Sequence, residues 1–279
     1  MRKRLSPALG DAVARLTAAG VESPRVDAEL LAAHVLGVPR GRLLLVDELR
    51  PEELRRFTAL VAERARRVPL QHLLGTAAFR HVEVSVGDGV FIPRPETELL
   101  AGWGIERVTP GATVVDLCSG TGAIALAVAD ESPAARVIAV ERSPMALSYL
   151  RRNAAGQPAV EVVAGDVTDP GLLRGLAGAV DVLLCNPPYV PDGTPVPPEV
   201  ADHDPAEAVF GGADGLAIVR PVIGLAAALL KPGGYLGIEH DDVHGAVVPG
   251  LLRSDGRFTA VTAHADLAGR PRFATARRS

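Results

Sequence analysis

Residues 181–193 read DVLLCNPPYVPDG, an apolar run that ends in an amide, two prolines and an aromatic ring. Proline stops a strand, because its ring nitrogen donates no hydrogen bond to the ladder. The side-chain oxygen of Asn186 and the carbonyl of Pro187 are two acceptors placed just past that stop. Together they can hold both hydrogens of an amide or amino nitrogen. Such a nitrogen is a poor nucleophile, since its lone pair is delocalised into a carbonyl or a ring. Acceptors on both N–H groups orient it and favour its pyramidal, attacking form. Pro188 brings no competing N–H and stiffens the loop, and Tyr189 can stack on a planar target. The chemistry implied is attack by a planar nitrogen, helped by positioning and electrostatics rather than by a histidine base. On this reading Asn186, Pro187 and Tyr189 carry catalysis, and residues 186–189 bind the substrate.

The electrophile follows from a second motif. VVDLCSGTGAIALA (114–127) sets a Gly-x-Gly turn between an expected strand and helix. Glycines let the backbone approach a ligand, and a helix start offers unpaired N–H groups. Gly120, Gly122 and Ala125 match the dinucleotide fingerprint, which is weak by itself. Asp116, two residues before the turn, argues against a pyrophosphate. Its carboxylate repels a diphosphate and attracts an ammonium or sulfonium, a difference of several kcal/mol at about 4 Å and an effective dielectric near 20. S-adenosylmethionine carries both cations and no phosphate. Glu141 ends the next expected strand, placed to take ribose hydroxyls. NAD shares that ribose, so Glu141 supports a nucleoside without choosing. Asp166, in AGDV, ends the third strand, where an acid can take an adenine amino group.

Elements must position these groups. The first seventy residues read as helices: Ser6 as N-cap with Pro7 first in the helix, then Ser23 with Pro24, closed by Gly20 and Gly37. A third helix starts at Pro51, with Leu54, Phe57, Val61, Ala65 and Val68 as its apolar stripe. Val82, Val84 and Val86 then alternate with polar residues before Gly-Asp-Gly, which predicts a β-hairpin turning there. Beyond it, expected strands (112–118, 136–141, 160–165, 181–185, 234–240) alternate with helical patterns (122–130, 143–155, 215–230) and a short helix at 170–177. Such alternation predicts an α/β, doubly wound parallel sheet. The final segments, RFTAVTAH and RPRFATARR, are expected to pair antiparallel at its edge. The expected domains are a helical bundle (1–74), a β-hairpin linker (75–94) and an α/β domain (95–279).

Composition narrows the setting. Of 279 residues 48% are hydrophobic but only 4% aromatic, so Ala, Val and Leu must build the core. The longest apolar runs, such as LAAALL at 225–230, fall far short of the roughly 20 residues of a membrane helix. The basic start is followed by no apolar segment of the secretory kind, and a cytoplasmic protein is expected. Cys118 and Cys185 form neither a disulfide framework nor a metal-ligand spacing, so no metal is expected. Residues 1–80 hold 14 of the 29 Lys and Arg and 9 of the 33 Asp and Glu, a net of +5 that leaves −9 on the rest. A basic front suggests a docking surface for an acidic partner, with Arg64, Arg66 and Arg67 as its densest run.

Asn-Pro-Pro-Tyr after the fourth strand, with DLCSGTGA after the first, resembles the Rossmann-like class I S-adenosylmethionine-dependent methyltransferases of planar nitrogens in DNA, RNA and protein. VPLQHLLGTAAFRHVEVSVGDGVFIPRPETELL (68–100), HDPAEAVFGGADGL (203–216) and DLAGRPRFATAR (266–277) resemble the release factor glutamine methyltransferases. The resemblance implies methylation of the glutamine amide in the Gly-Gly-Gln motif of class 1 peptide-chain release factors. It implies S-adenosylmethionine as cofactor, and a monomer that needs neither membrane nor direct nucleic-acid contact. By position, Cys118, Ser119, Gly120, Thr121 and Gly122 form the cofactor loop, with Asp116 at its base. Glu141 takes the ribose, Asp166 and Val167 flank the adenine, and Phe91 lies near the methionine end. Asn186 touches cofactor and substrate, and Pro187, Pro188 and Tyr189 complete the glutamine pocket. The chain departs from the family at Cys118-Ser119, usually Gly-Thr, at Glu141, often aspartate, and at Val167, aromatic in some members. These departures bear on affinity more than on reaction type. Two other classes fit part of the pattern: a DNA or RNA base methyltransferase, which must flip its base, and a cofactor-binding module without chemistry. An NAD-dependent oxidoreductase must tolerate Asp116.

Overall fold

The computed structural model describes residues 3–133 and 135–279, which fall into two compact units. The helical unit runs to Thr76 and also takes in Pro197–His203. Its elements are β1 (Lys3–Arg4), α1 (Leu5–Ala18), α2 (Pro24–Leu36), β2 (Glu48–Leu49), α3 (Pro51–Ala65) and α4 (Leu70–Leu74). Pro24 opens α2, and Gly37 closes it in a left-handed conformation (φ 64°) that costs glycine little. Glu53 caps the start of α3, accepting from the Arg50 N–H at 2.7 Å. Ser6 does not cap α1. That helix starts at Leu5, whose N–H is met by the Asp47 carbonyl at 2.9 Å as β1 pairs with β2. Leu16, Leu31, Leu49, Phe57 and Val61 fill the core.

The arginine run on α3 is not the open basic patch that its sequence suggests. Arg64 is buried and binds Asp27 at 2.7 Å and Glu199 at 3.0 Å. Arg67 meets the same Glu199 at 2.6 Å, and only Arg66, paired with Glu63, lies exposed. Glu199 belongs to the returning segment, far from α3 in sequence, so no local pattern could reveal the neutralisation.

A hairpin of β3 (Thr76–Phe79) and β4 (Val82–Ser85) follows, and the second unit begins within it at Ala77. The hairpin turns at Arg80-His81, before the Gly-Asp-Gly that was expected to turn it. Arg80 takes the left-handed conformation (φ 51°), its N–H on Glu98 and its guanidinium on Glu131. Next comes α5 (Thr97–Ile105), which sequence periodicity does not single out because two glycines interrupt its apolar residues. Packing explains one of them, since a Cβ at Gly104 would stand 2.6 Å from Leu184.

The remaining elements are β5 (Thr113–Leu117), α6 (Ala123–Glu131), β6 (Arg136–Glu141), α7 (Pro144–Asn153), β7 (Val160–Ala164) and β8 (Val180–Cys185). Then follow α8 (Pro198–His203, in the helical unit), α9 (Ala206–Val209), α10 (Val219–Leu229), β9 (Leu230–Glu239), α11 (Val247–Asp255), β10 (Phe258–Ala265) and β11 (Pro271–Arg278). The helix expected at 170–177 is a single tight turn at Arg174–Leu176. Seven strands line up as β10-β11-β9-β8-β5-β6-β7. The five from β9 to β7 are parallel, while β11 runs antiparallel between β9 and the edge strand β10. This is a Rossmann-like doubly wound sheet. Val, Leu, Ile and Ala side chains cover both of its faces, as burial from two sides demands.

Candidate active site

Parallel strands bring their carboxyl ends to one edge of the sheet, and five of the polar groups sit there: Asp116, Glu141, Asp166, Asn186 and Glu239. The loop after β5 alternates left-handed residues, Cys118 (φ 58°), Gly120 (φ 55°) and Gly122 (φ 86°). Its backbone is tied down at Ser119, whose N–H donates to the Val140 carbonyl at 2.9 Å. The Asn153 amide adds a tie, donating to the Thr121 carbonyl at 3.0 Å. A Cβ at Gly122 would stand 2.5 Å from Leu150, whereas nothing lies within 4 Å of one at Gly120. At Gly120 the loop therefore offers its backbone to open space.

Asp116 lies beneath this loop, 1% exposed. Its Oδ2 accepts from the Ala125 N–H at 3.2 Å, while Oδ1 has no partner. Burial pushes the carboxyl up to about 7, against the pull of its Ser119 and Ala125 bonds. An unpartnered buried acid there suits a ligand that brings a positive charge or a donor.

Glu141 accepts three backbone N–H groups: Gly120 at 2.8 Å on Oε2, and Arg142 and Ser143 at 2.8 Å each on Oε1. It thus fixes the glycine loop and the start of α7, and Oε2 keeps capacity for a hydroxyl. Asp166 accepts from the Thr168 N–H at 2.9 Å and its hydroxyl at 2.8 Å. Those bonds, with Arg142 nearby, hold its carboxyl below the usual range. Both acids therefore also serve as local turn acceptors. Beside Asp166 opens a cleft of about 430 Å³, lined by Arg142, Ser143, Pro144, Gly165, Asp166 and Glu207. Val167 turns into the hydrophobic core beside it. Phe91 is half-buried under the Arg94 guanidinium, 4.8 Å from the ring centre.

Asn186 follows β8, whose Cys185 pairs in register with Leu117 of β5. The Asn186 side chain is anchored by its nitrogen, which donates to the Thr97 hydroxyl at 3.2 Å. Among the described residues, neither Asn186 Oδ1 nor the buried Pro187 carbonyl receives a hydrogen bond. The Tyr189 hydroxyl donates to Glu239 Oε1 at 2.9 Å. Burial and that carboxylate push the hydroxyl up, so it stays a donor. Pro188 is buried beneath the next segment. There Val190 bridges Phe210, and the Gly211 N–H donates to the Val190 carbonyl at 2.9 Å. A Cβ at Gly211 would stand 2.6 Å from the Pro188 carbonyl, and one at Gly215 2.3 Å from that of Tyr189.

The structure brings Asp116, Glu141, Asp166 and Asn186 to one edge of the sheet and leaves Val167 in the core. Two polar residues that sequence reading did not single out, Glu239 and Thr97, stand beside Tyr189 and Asn186. Glu239 ends β9 as Asp116 and Glu141 end their strands, so the same signal at one more strand end would have found it. Thr97 sits in the IPRPETE run and carried no chemical signal of its own.

Residues 7–75 match the PrmC N-terminal domain, and residues 97–201 the methyltransferase small domain. The "Release factor glutamine methyltransferase" of Mycolicibacterium smegmatis is 59% identical over 276 residues, covering 99% of this chain and 98% of its own. That of Deinococcus radiodurans is 42% identical, with 99% of both chains covered. Among solved structures, the hMettl16 catalytic domain aligns with a TM-score of 0.55 at 17% identity, over 79% of this chain and 81% of its own, a likeness of fold alone. With its helical unit, its sheet edge and its whole length matched in this way, the chain belongs to the release factor glutamine methyltransferase family.

Proposed function

We propose that this methyltransferase transfers a methyl group from S-adenosylmethionine to the side-chain amide of the Gly-Gly-Gln glutamine in class 1 peptide-chain release factors. The observation that carries the reading is the pair of acceptors, Asn186 Oδ1 and the Pro187 carbonyl, that receive no hydrogen bond among the described residues. A primary amide has two hydrogens to give, and both must be held for its nitrogen to face one direction. The Tyr189 ring, tethered through its hydroxyl to Glu239, supplies a flat wall for the amide plane. S-adenosylmethionine, when bound, supplies an electrophilic methyl on a sulfonium. The residues present fit it: Asp116 Oδ1 for its cationic end, Gly120 for close backbone approach, Glu141 for ribose, and Asp166 for the adenine. Val167, expected beside the adenine, lies in the hydrophobic core instead. Cys118, Ser119, Thr121 and Gly122 shape the loop, and Pro188 stiffens the pocket. Holding the amide in a near-attack geometry can contribute several kcal/mol of the barrier.

The helical unit is assigned to docking of the release factor, the work to the cytoplasm, and the protein to a monomeric state. Among the described residues no helix is long and apolar enough to cross a membrane. Nucleic acid is the poorer substrate, because residues 81–279 carry the chain's net negative charge.

Mass spectrometry of a release factor incubated with enzyme and S-adenosylmethionine tests the reading. One added methyl on the Gly-Gly-Gln glutamine is expected, absent with Asn186→Ala and absent when that glutamine is replaced. A methyl elsewhere, or none, overturns the substrate assignment.

A further inference from the structure

The chain has two cysteines, Cys118 and Cys185, and the sheet brings both to the edge that carries the glycine loop. Cys185 is the last residue of β8, where its Cα lies opposite that of Leu117 on β5. Cys118 is the residue after Leu117. Parallel strands stand about 4.8 Å apart and rise about 3.3 Å per residue. The two cysteine Cα atoms therefore stand about 6 Å apart, near the commonest spacing in disulfides. In a continued strand Cys118 would point to the face opposite Leu117. Its left-handed backbone (φ 58°) ends that alternation, and Cys118 packs against the same buried cluster that holds Cys185.

Exposure separates the two thiols. Cys118 is half-buried, whereas Cys185 is fully buried. Burial, and after it the neighbouring Cys118, push the Cys185 thiol well up, so an oxidant from solvent meets Cys118 first. Mobility separates them too. Cys185 is held in β8 between β5 and β9. Cys118 opens the loop whose shape rests on two bonds, Ser119 N–H to the Val140 carbonyl at 2.9 Å and Gly120 N–H to Glu141 Oε2 at 2.8 Å. A disulfide sets its sulfurs about 2 Å apart, closer than any non-bonded pair. Closing it must draw in the loop rather than the strand.

We propose that Cys118 and Cys185 form an oxidative modification site, where a peroxide joins them in a disulfide that pulls the glycine loop out of its ligand-binding shape. The Cys118 sulfur attacks the peroxide, the O–O bond breaks, and a sulfenic acid forms with release of water. The Cys185 sulfur then attacks the sulfenic sulfur. The S–O bond breaks, and the hydroxide leaves with the Cys185 proton as a second water. Two thiols are oxidised and one peroxide is reduced. The effect on binding rests on the reading of residues 118–122 as the cofactor loop, and the disulfide itself does not.

The test exposes the full chain to hydrogen peroxide, then counts free thiols by alkylation after unfolding and mass spectrometry. Thiols are counted because Met145, 54% exposed, takes up oxygen of its own. Oxidised wild type is expected to show no free thiol and a link between Cys118 and Cys185 within one chain. Its affinity for S-adenosylhomocysteine should fall at least about tenfold, the scale of a group misplaced by about 1 Å. Dithiothreitol should restore both thiols and affinity. Cys185→Ala, compared with its own reduced form, should keep its affinity under the same exposure, because nothing draws Cys118 toward β8. Two free thiols, an oxidised Cys118 beside a free Cys185, or a link between two chains overturns the proposal. So does a disulfide that leaves affinity unchanged, or an equal loss in Cys185→Ala. Should the reduced wild type bind no S-adenosylhomocysteine, the cofactor reading fails, and the thiol count still decides the disulfide.

Discussion

At the scale of single residues, burial at the sheet edge has tuned two acids, Asp116 and Glu239, toward neutral pH. Asp116 is pushed up to about 7 because its carboxyl is buried with one oxygen unpartnered. Below that value it holds a proton, and above it a negative charge. A ligand that brings an ammonium favours the charged form, so binding must expel the proton when the pH is low. Affinity for S-adenosylhomocysteine should therefore rise between pH 6 and 8, by up to about tenfold per unit on the acid side. Asp116→Asn should bind more weakly and with no such slope. Calorimetry at three pH values reads both, and a flat wild-type profile would rule out the role given to Asp116.

At the scale of elements, the Asn-Pro-Pro-Tyr loop keeps its shape because another segment lies across it. The Asn-Pro-Pro-Tyr carbonyls cannot all be satisfied within the loop, since its two prolines offer no N–H. Residues 209–211 lie beside the residue that follows it: the Val190 N–H donates to the Val209 carbonyl at 3.0 Å, and the Val190 carbonyl accepts from the Gly211 N–H at 2.9 Å. Glycine is required at 215, where φ is +70° and a Cβ would stand 2.3 Å from the Tyr189 carbonyl. Gly215→Ala should push the Tyr189 backbone aside and lower kcat at least tenfold, as misplacement of about 1 Å does. Gly224→Ala, on α10 with nothing within 4 Å, should be silent. Steady-state kinetics of the pair checks this, and equal rates would show the loop to be adaptable.

At the scale of the whole molecule, the chain returns to its first unit after completing β8. The returning helix α8 carries Glu199, which Arg64 and Arg67 hold. Burial opposes its ionisation, but hydrogen bonds from the two arginines prevail and lower the carboxyl from 4.5 to about 2. A group depressed when folded stabilises fully above its unfolded value and loses that stability as pH falls toward the folded one. Glu199→Gln should therefore cost roughly 2–3 kcal/mol at pH 7. The gap from wild type should narrow as pH falls from about 5 to 2. Urea unfolding at pH 7, 4 and 3 measures it, and a gap independent of pH would mean that Glu199 acts by packing rather than charge.

Sequence alone determined the parts whose signal is local. Strand ends, helix starts and the glycine turn are set by propensity and by the few residues that can occupy them. The acids at strand ends and the Asn-Pro-Pro-Tyr run were therefore legible, and with them the side of the sheet that carries chemistry. Tertiary structure decided what depends on distant partners. Thr97 met Asn186, and Glu239 met Tyr189, only when α5, β8 and β9 packed together. Arg64 lost its place in a basic patch to Glu199, and Ser6 lost its cap to a carbonyl at Asp47. The hairpin turned at Arg80 because Glu98 and Glu131 hold it there, against the preference of the nearby glycines. In each case a polar group found its hydrogen-bond partner far along the chain, and burial made that bond decisive.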